Sequence, residues 1–125
     1  MLILADTSIW VNHLRTGNSL FKSFLEDGAV LMHPWVRREL SLGHLKNRAQ
    51  ILGFLAALPQ AEVAADEEVQ HVVETRKLFG MGIGWIDAHL LAATLLIQTC
   101  SLWTLDGSLR SASAKAGAPL FHGAV

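Results

Sequence analysis

The chain opens on Leu2-Ile3-Leu4-Ala5, apolar at every position and ended by Asp6. A strand with no polar face must be buried on both sides, the condition of a parallel sheet covered by helices. Ala29 to Met32 reads as another buried strand and Ser101 to Thr104 as a strand, with shorter strands at Ala61 to Ala64 and Pro119 to Phe121. Helical stretches separate them. The order is strand, helices, strand, helices, strand, helix, helix, strand, helix, strand, which predicts an α/β fold with a mainly parallel sheet.

The punctuation agrees with that order. Thr7-Ser8 and Asn18-Ser19 offer N-caps, and Gly17 and Gly28 offer stops. Pro34 suits a first helical turn, Asn47 opens the next helix, and Pro59 ends it. Asp66 is a cap with Glu67 and Glu68 behind it and Arg76-Lys77 in the last turn, an order that complements the helix dipole. Asp87 to Gln98 is apolar nearly all round and is therefore a buried helix. Asp106 to Ala116 is the last helix.

Length and composition bound the rest. The 125 residues suit one domain, and with 51% hydrophobic and 17% charged residues disorder is excluded. Net charge is -1, so no overall basic excess advertises nucleic acid. One cysteine, Cys100, cannot form an internal disulfide or a thiol-rich zinc site, and a reducing cytoplasm is the simplest compartment. Leu90 to Ile97 is too short to cross a bilayer, so no membrane association is expected. Met1 to Asp6 lacks the basic start of a signal peptide.

Four of the eleven acidic residues stand out. Asp6 follows the first strand, and Asp106 follows the strand ending at Thr104. Asp87 heads the most apolar helix. Glu39 lies among Trp35, Val36, Leu40 and Leu42 after the second strand. Each has a bland reading: Asp6, Asp87 and Asp106 as N-caps, Glu39 as an exposed partner of a nearby cation. Together they gain another. In a parallel sheet the carboxyl ends of the strands form the ligand crevice. Carboxylates gathered there repel, and must take up protons or cations. An all-oxygen set favours Mg²⁺ or Mn²⁺ over Zn²⁺ and suits phosphodiester hydrolysis.

Four segments then resemble a known family. They are Asp6-Thr7-Ser8-Ile9-Trp10, His33 to Leu40, Gly82 to Ala93 (with Trp85-Ile86-Asp87-Ala88-His89), and Leu102-Trp103-Thr104-Leu105-Asp106. In this order they resemble PIN-domain ribonucleases of the VapC toxin type, over nearly the whole chain. The resemblance implies a three-layer α/β/α PIN fold and Mg²⁺- or Mn²⁺-dependent cleavage of RNA. It also implies a VapB-type antitoxin that inserts a segment into the acidic groove, and a homodimer. It assigns metal binding to Asp6 and Asp87 first, with Glu39 and Asp106 completing the set, and makes Thr7, Ser8 and Thr104 orienting hydroxyls. The family often carries basic residues around the fourth acid. Here Gly107 and Ser108 follow Asp106, and Arg110 is the nearest cation. RNA affinity must then rest on a local patch, with Arg15, Arg37, Arg38, Lys46, Arg48, Arg76 and Lys77 as candidates.

The other polar and aromatic residues read as structural. His13, His44, His71 and His122 read as surface residues, His33 as a cap or packing residue, and His89 as hydrogen-bonded structure. Trp10, Trp35, Trp85 and Trp103 could stack on bases, but all lie in apolar runs and are assigned to the core. The alternative function is a catalytically silent module that binds RNA or an antitoxin-like partner. An aspartyl-phosphate enzyme fits less well, because Ser8 stands where the haloacid-dehalogenase-like version has a second Asp.

Overall fold

The computed structural model describes residues 1–123. Three parallel strands, β1 (Leu2–Ala5), β2 (Val30–Leu31) and β3 (Cys100–Trp103), form a sheet in the order β2-β1-β3. Ile3 pairs with Val30 on one side and Ser101 on the other. Being central, β1 has no wet face: Ile3, Leu4 and Ala5 are fully buried.

Two expected strands shrink to single bridges. Gln60 pairs with Met32 at one edge and Leu120 with Leu102 at the other. Past Gln60, Glu62 and Val63 turn to solvent, so only Ala61 and Ala64 could bury a face. At the other edge Pro119 has no N–H to give a ladder, and its carbonyl accepts from the Leu102 amide instead.

The helices are α1 (Thr7–Thr16), α2 (Ser19–Glu26), α3 (Pro34–Ser41), α4 (Arg48–Ala57), α5 (Asp66–Thr75), α6 (Trp85–Leu96) and α7 (Gly107–Ala116). The crossovers through α1 to α4 step toward the β2 edge, and those through α5 to α7 step back past β1. Right-handed crossovers therefore place the two groups on opposite faces. The contacts agree, α1 with α3 and α3 with α4, against α5 with α6 and α6 with α7. The result is the three-layer α/β/α arrangement. Trp10 and Trp103 are fully buried and meet Phe21 edge-on at 4.8 and 5.7 Å.

Some helix ends differ from the sequence reading. Ala65, not Asp66, caps α5, and its amide donates to the Glu68 carboxylate at 3.0 Å. The helix ends at Thr75, so Arg76 and Lys77 lie beyond it. Arg76 instead donates to the Ala116 carbonyl at 2.7 Å, closing the C-terminal end of α7. α6 begins two residues early, at Trp85. No helix of the described residues is long and apolar enough to cross a membrane.

Candidate active site

The carboxyl end of the sheet gathers the starts of α1, α3, α6 and α7. Asp6 ends β1 and caps α1: its Oδ1 accepts from the Ile9 amide at 3.3 Å and from Ser8 Oγ at 2.5 Å. Its Oδ2 accepts from Thr104 Oγ1 across 98 residues of chain. Ser8 Oγ in turn accepts from the Leu105 amide at 2.9 Å, and Thr104 Oγ1 from the Asp106 amide at 3.0 Å. The two hydroxyls thus bind the turn after β1 to the turn after β3. Thr7 Oγ1 donates to Glu39 Oε1 at 2.7 Å, which fixes Glu39 from α3 beside the start of α1.

Asp87 lies in the first turn of α6, and its Oδ2 accepts from the Gly84 amide at 3.3 Å. The loop before it sits close to α7. Gly82 has φ +76, and a Cβ there would lie 3.5 Å from Ser108 Oγ. The positive φ is what favours glycine here, since a Cβ at that distance would make only ordinary contact. Asp106 caps α7, accepting from the Ser108 amide at 2.9 Å.

Three of the four acids therefore keep a backbone-capping or turn-closing bond, as the bland reading holds, and the four still share one electrostatic neighbourhood. Burial raises the Asp87 pKa above its ordinary value. The Gly84 amide opposes this, and the negative charges of Asp106, Asp6 and Glu39 raise it further. Asp6 is 6% exposed, and desolvation raises its pKa against the lowering effect of its Ser8, Thr104 and backbone donors. Among the described residues no three His, Cys, Asp or Glu side chains converge as a ready cation cage. The carboxylates feel one another without closing up, as like charges do. Their donor chemistry is all oxygen, which fits a hard divalent ion.

Beside Glu39 lies a cleft of about 510 Å³, bounded by Thr7, Val11, Leu40 and Ile51, with Arg15 and Lys46 on its walls. Two of the proposed cations thus stand next to the acidic centre, whereas Arg76 is held at the far end of α7.

A second polar cluster had no sequence signal beyond the histidines themselves. His33 caps α3, its Nδ1 accepting from the Trp35 amide at 3.1 Å. His89 is 1% exposed, and its Nε2 donates to Asp66 Oδ1 at 3.1 Å. The two rings lie 5.9 Å apart. His33 Nε2 and His89 Nδ1 are buried without a hydrogen-bond partner among the described residues. The bond to His89 explains why Asp66 leaves the cap position to Ala65. The tryptophans also divide: Trp10 and Trp103 are core, Trp35 is half-buried, and Trp85 is 42% exposed.

No family model matches the chain. Two curated relatives, both named Ribonuclease VapC32, from Mycobacterium tuberculosis strains CDC 1551 and H37Rv, are 40% identical over 119 residues. The match covers 95% of this chain and 96% of theirs. At that identity and coverage, with the parallel sheet and its acidic edge in place, the chain belongs to the VapC family of PIN-domain ribonucleases.

Proposed function

We propose that residues 1–125 form one PIN-like unit acting as a Mg²⁺- or Mn²⁺-dependent endoribonuclease, the toxin of a VapBC-like pair. The observation that carries this reading is the charge of Asp106, Asp6 and Glu39 acting on Asp87 at the carboxyl edge of the sheet. In this reading Asp6 and Asp87 hold the ion most directly, and Glu39 and Asp106 complete the acidic set. Thr7 orients Glu39, while Ser8 and Thr104 orient Asp6. The ion, when bound, activates water and offsets the charge of the phosphate. A VapB-like antitoxin is the expected partner. The cleft that Glu39 helps to line is where a segment of it would reach the acids. Homodimerisation and cytoplasmic residence are part of the same proposal.

The test is cleavage of RNA by the purified chain in Mg²⁺ or Mn²⁺. Activity is expected, with loss in Asp6→Asn. An Asp6→Asn variant as active as the parent overturns the proposal. Calorimetry separates the silent-module alternative: that reading requires RNA or partner binding with no uptake of divalent ion.

A further inference from the structure

The geometry points to a substrate subsite beside the acids, in which Trp85 stacks on a base of single-stranded RNA and Arg38 holds the adjoining phosphate. Trp85 is the first residue of α6, two before Asp87, and 42% of it is exposed. At the far end of this helix Leu96 is equally exposed, and between them Leu90 and Leu91 are buried. The indole is nevertheless held in place. It meets the His89 ring edge-on, at 5.1 Å and 88°. His89 is buried, and its Nε2 is hydrogen-bonded to the exposed Asp66 carboxylate at 3.1 Å.

The His89 ring also lies 5.9 Å from Trp35, and the Arg38 guanidinium sits 5.2 Å from the Trp35 ring centre. Trp35, Arg38 and Glu39 share one face of α3 through their i, i+3 and i, i+4 spacing. An exposed indole, a second indole and a cation therefore lie on the two helices that carry Asp87 and Glu39, with Trp85 two residues before Asp87 and Arg38 next to Glu39 in sequence.

Aromatic faces interleaved with arginine take unpaired bases and their phosphates. The chain carries net charge -1, so a phosphate strand needs local cations to approach four carboxylates. Arg38 supplies one next to the aromatic face, which favours RNA over an apolar protein partner. The inference rests on the ribonuclease reading for its substrate, and adds the place where a flanking nucleotide is held.

The experiment compares wild type, Trp85→Ala, Trp85→Phe and Arg38→Gln on a single-stranded RNA of mixed sequence. Cleavage is followed in Mg²⁺ or Mn²⁺, and binding by fluorescence anisotropy in Ca²⁺. Trp85→Ala is expected to raise KM and the binding Kd about ten-fold with kcat within about two-fold, the effect of one lost base stack. Trp85→Phe keeps a ring and is expected to recover most of that loss. Arg38→Gln is expected to weaken binding and lower its dependence on salt by about one phosphate contact. Wild-type Kd in Trp85→Ala overturns the proposal, as does a fall in kcat with unchanged KM. Unchanged RNA binding with a shifted dimer or antitoxin affinity also overturns it, and assigns the face to a protein. If Trp85→Ala does not fold, Trp85→Phe and Arg38→Gln decide: wild-type Kd in both rejects the subsite. Failure of the ribonuclease reading appears separately, as no cleavage by wild type while the Ca²⁺ binding measurements still stand.

Discussion

Asp6 sits under opposed demands. Its burial favours the protonated acid, while two hydroxyls and an amide are arranged to donate to the charged form. Removing one donor upsets that balance. Thr104→Val keeps the shape but deletes the hydroxyl that donates to Asp6 and accepts from the Asp106 amide. A loss of about 1–3 kcal/mol of stability is expected, read by urea denaturation. RNA cleavage is expected to fall with it. Asp87 gives the opposite sign for stability. Its raised pKa means that the folded chain binds this proton more tightly than the unfolded chain. Its contribution is therefore favourable below the ordinary value of 3.8, and is lost as pH rises through the folded value. Asp87→Asn removes the repelled charge, so it is expected to raise the Tm of the metal-free protein at pH 7 while abolishing cleavage. Scanning calorimetry checks the first outcome, and the gain should fade below about pH 4.

At the level of the element, α3 shows how a cap can serve a site. The helix carries Glu39, and its start depends on His33 accepting through Nδ1. The imidazole is buried and lies near His89 and Arg38, and its pKa is lowered to about 4. Between pH 6.5 and 4 the unfolded chain takes up a proton that the folded chain refuses, so His33 makes stability fall as pH drops through that window. His33→Asn retains a capping acceptor and His33→Ala does not. The Asn variant is expected to be about 1 kcal/mol more stable than Ala, and both should flatten the stability profile between pH 6.5 and 4. Denaturant titrations across that range test this. Elements were also where the sequence was most informative. Continuous apolar runs marked β1 and β2, because strands buried on both faces rarely have another composition. The edge strands were over-read because a four-residue apolar pattern cannot show whether a partner's amides are in register. Trp85 was assigned to the core because hydrophobicity does not reveal which face of a helix start its neighbours leave open. The Asp66–His89 bond joins side chains 23 residues apart, and no local pattern encodes that.

For the whole molecule, four carboxylates far apart in sequence share a neighbourhood because the sheet is parallel and the chain enters each following element at the same edge. Order of appearance along the chain was enough to suspect this, since each acid follows a strand or opens a helix there. Closeness was not readable, because it depends on crossover handedness and on contacts such as Gly82 against Ser108. Bound cation opposes the mutual repulsion, so Mg²⁺ or Mn²⁺ is expected to raise the Tm of the wild-type chain. At a hundred times Kd the stabilisation is about 2.7 kcal/mol. A metal titration by differential scanning fluorimetry should show the rise in wild type and its absence in Asp6→Asn.

The hydroxyl bridge from Thr104 to Asp6 joins side chains that lie 98 residues apart along the chain. During translation the pocket cannot be finished before Thr104 and Asp106 have left the exit tunnel, about a hundred residues after Asp6. A product cut short before Thr104, however well its early helices form, carries an incomplete centre.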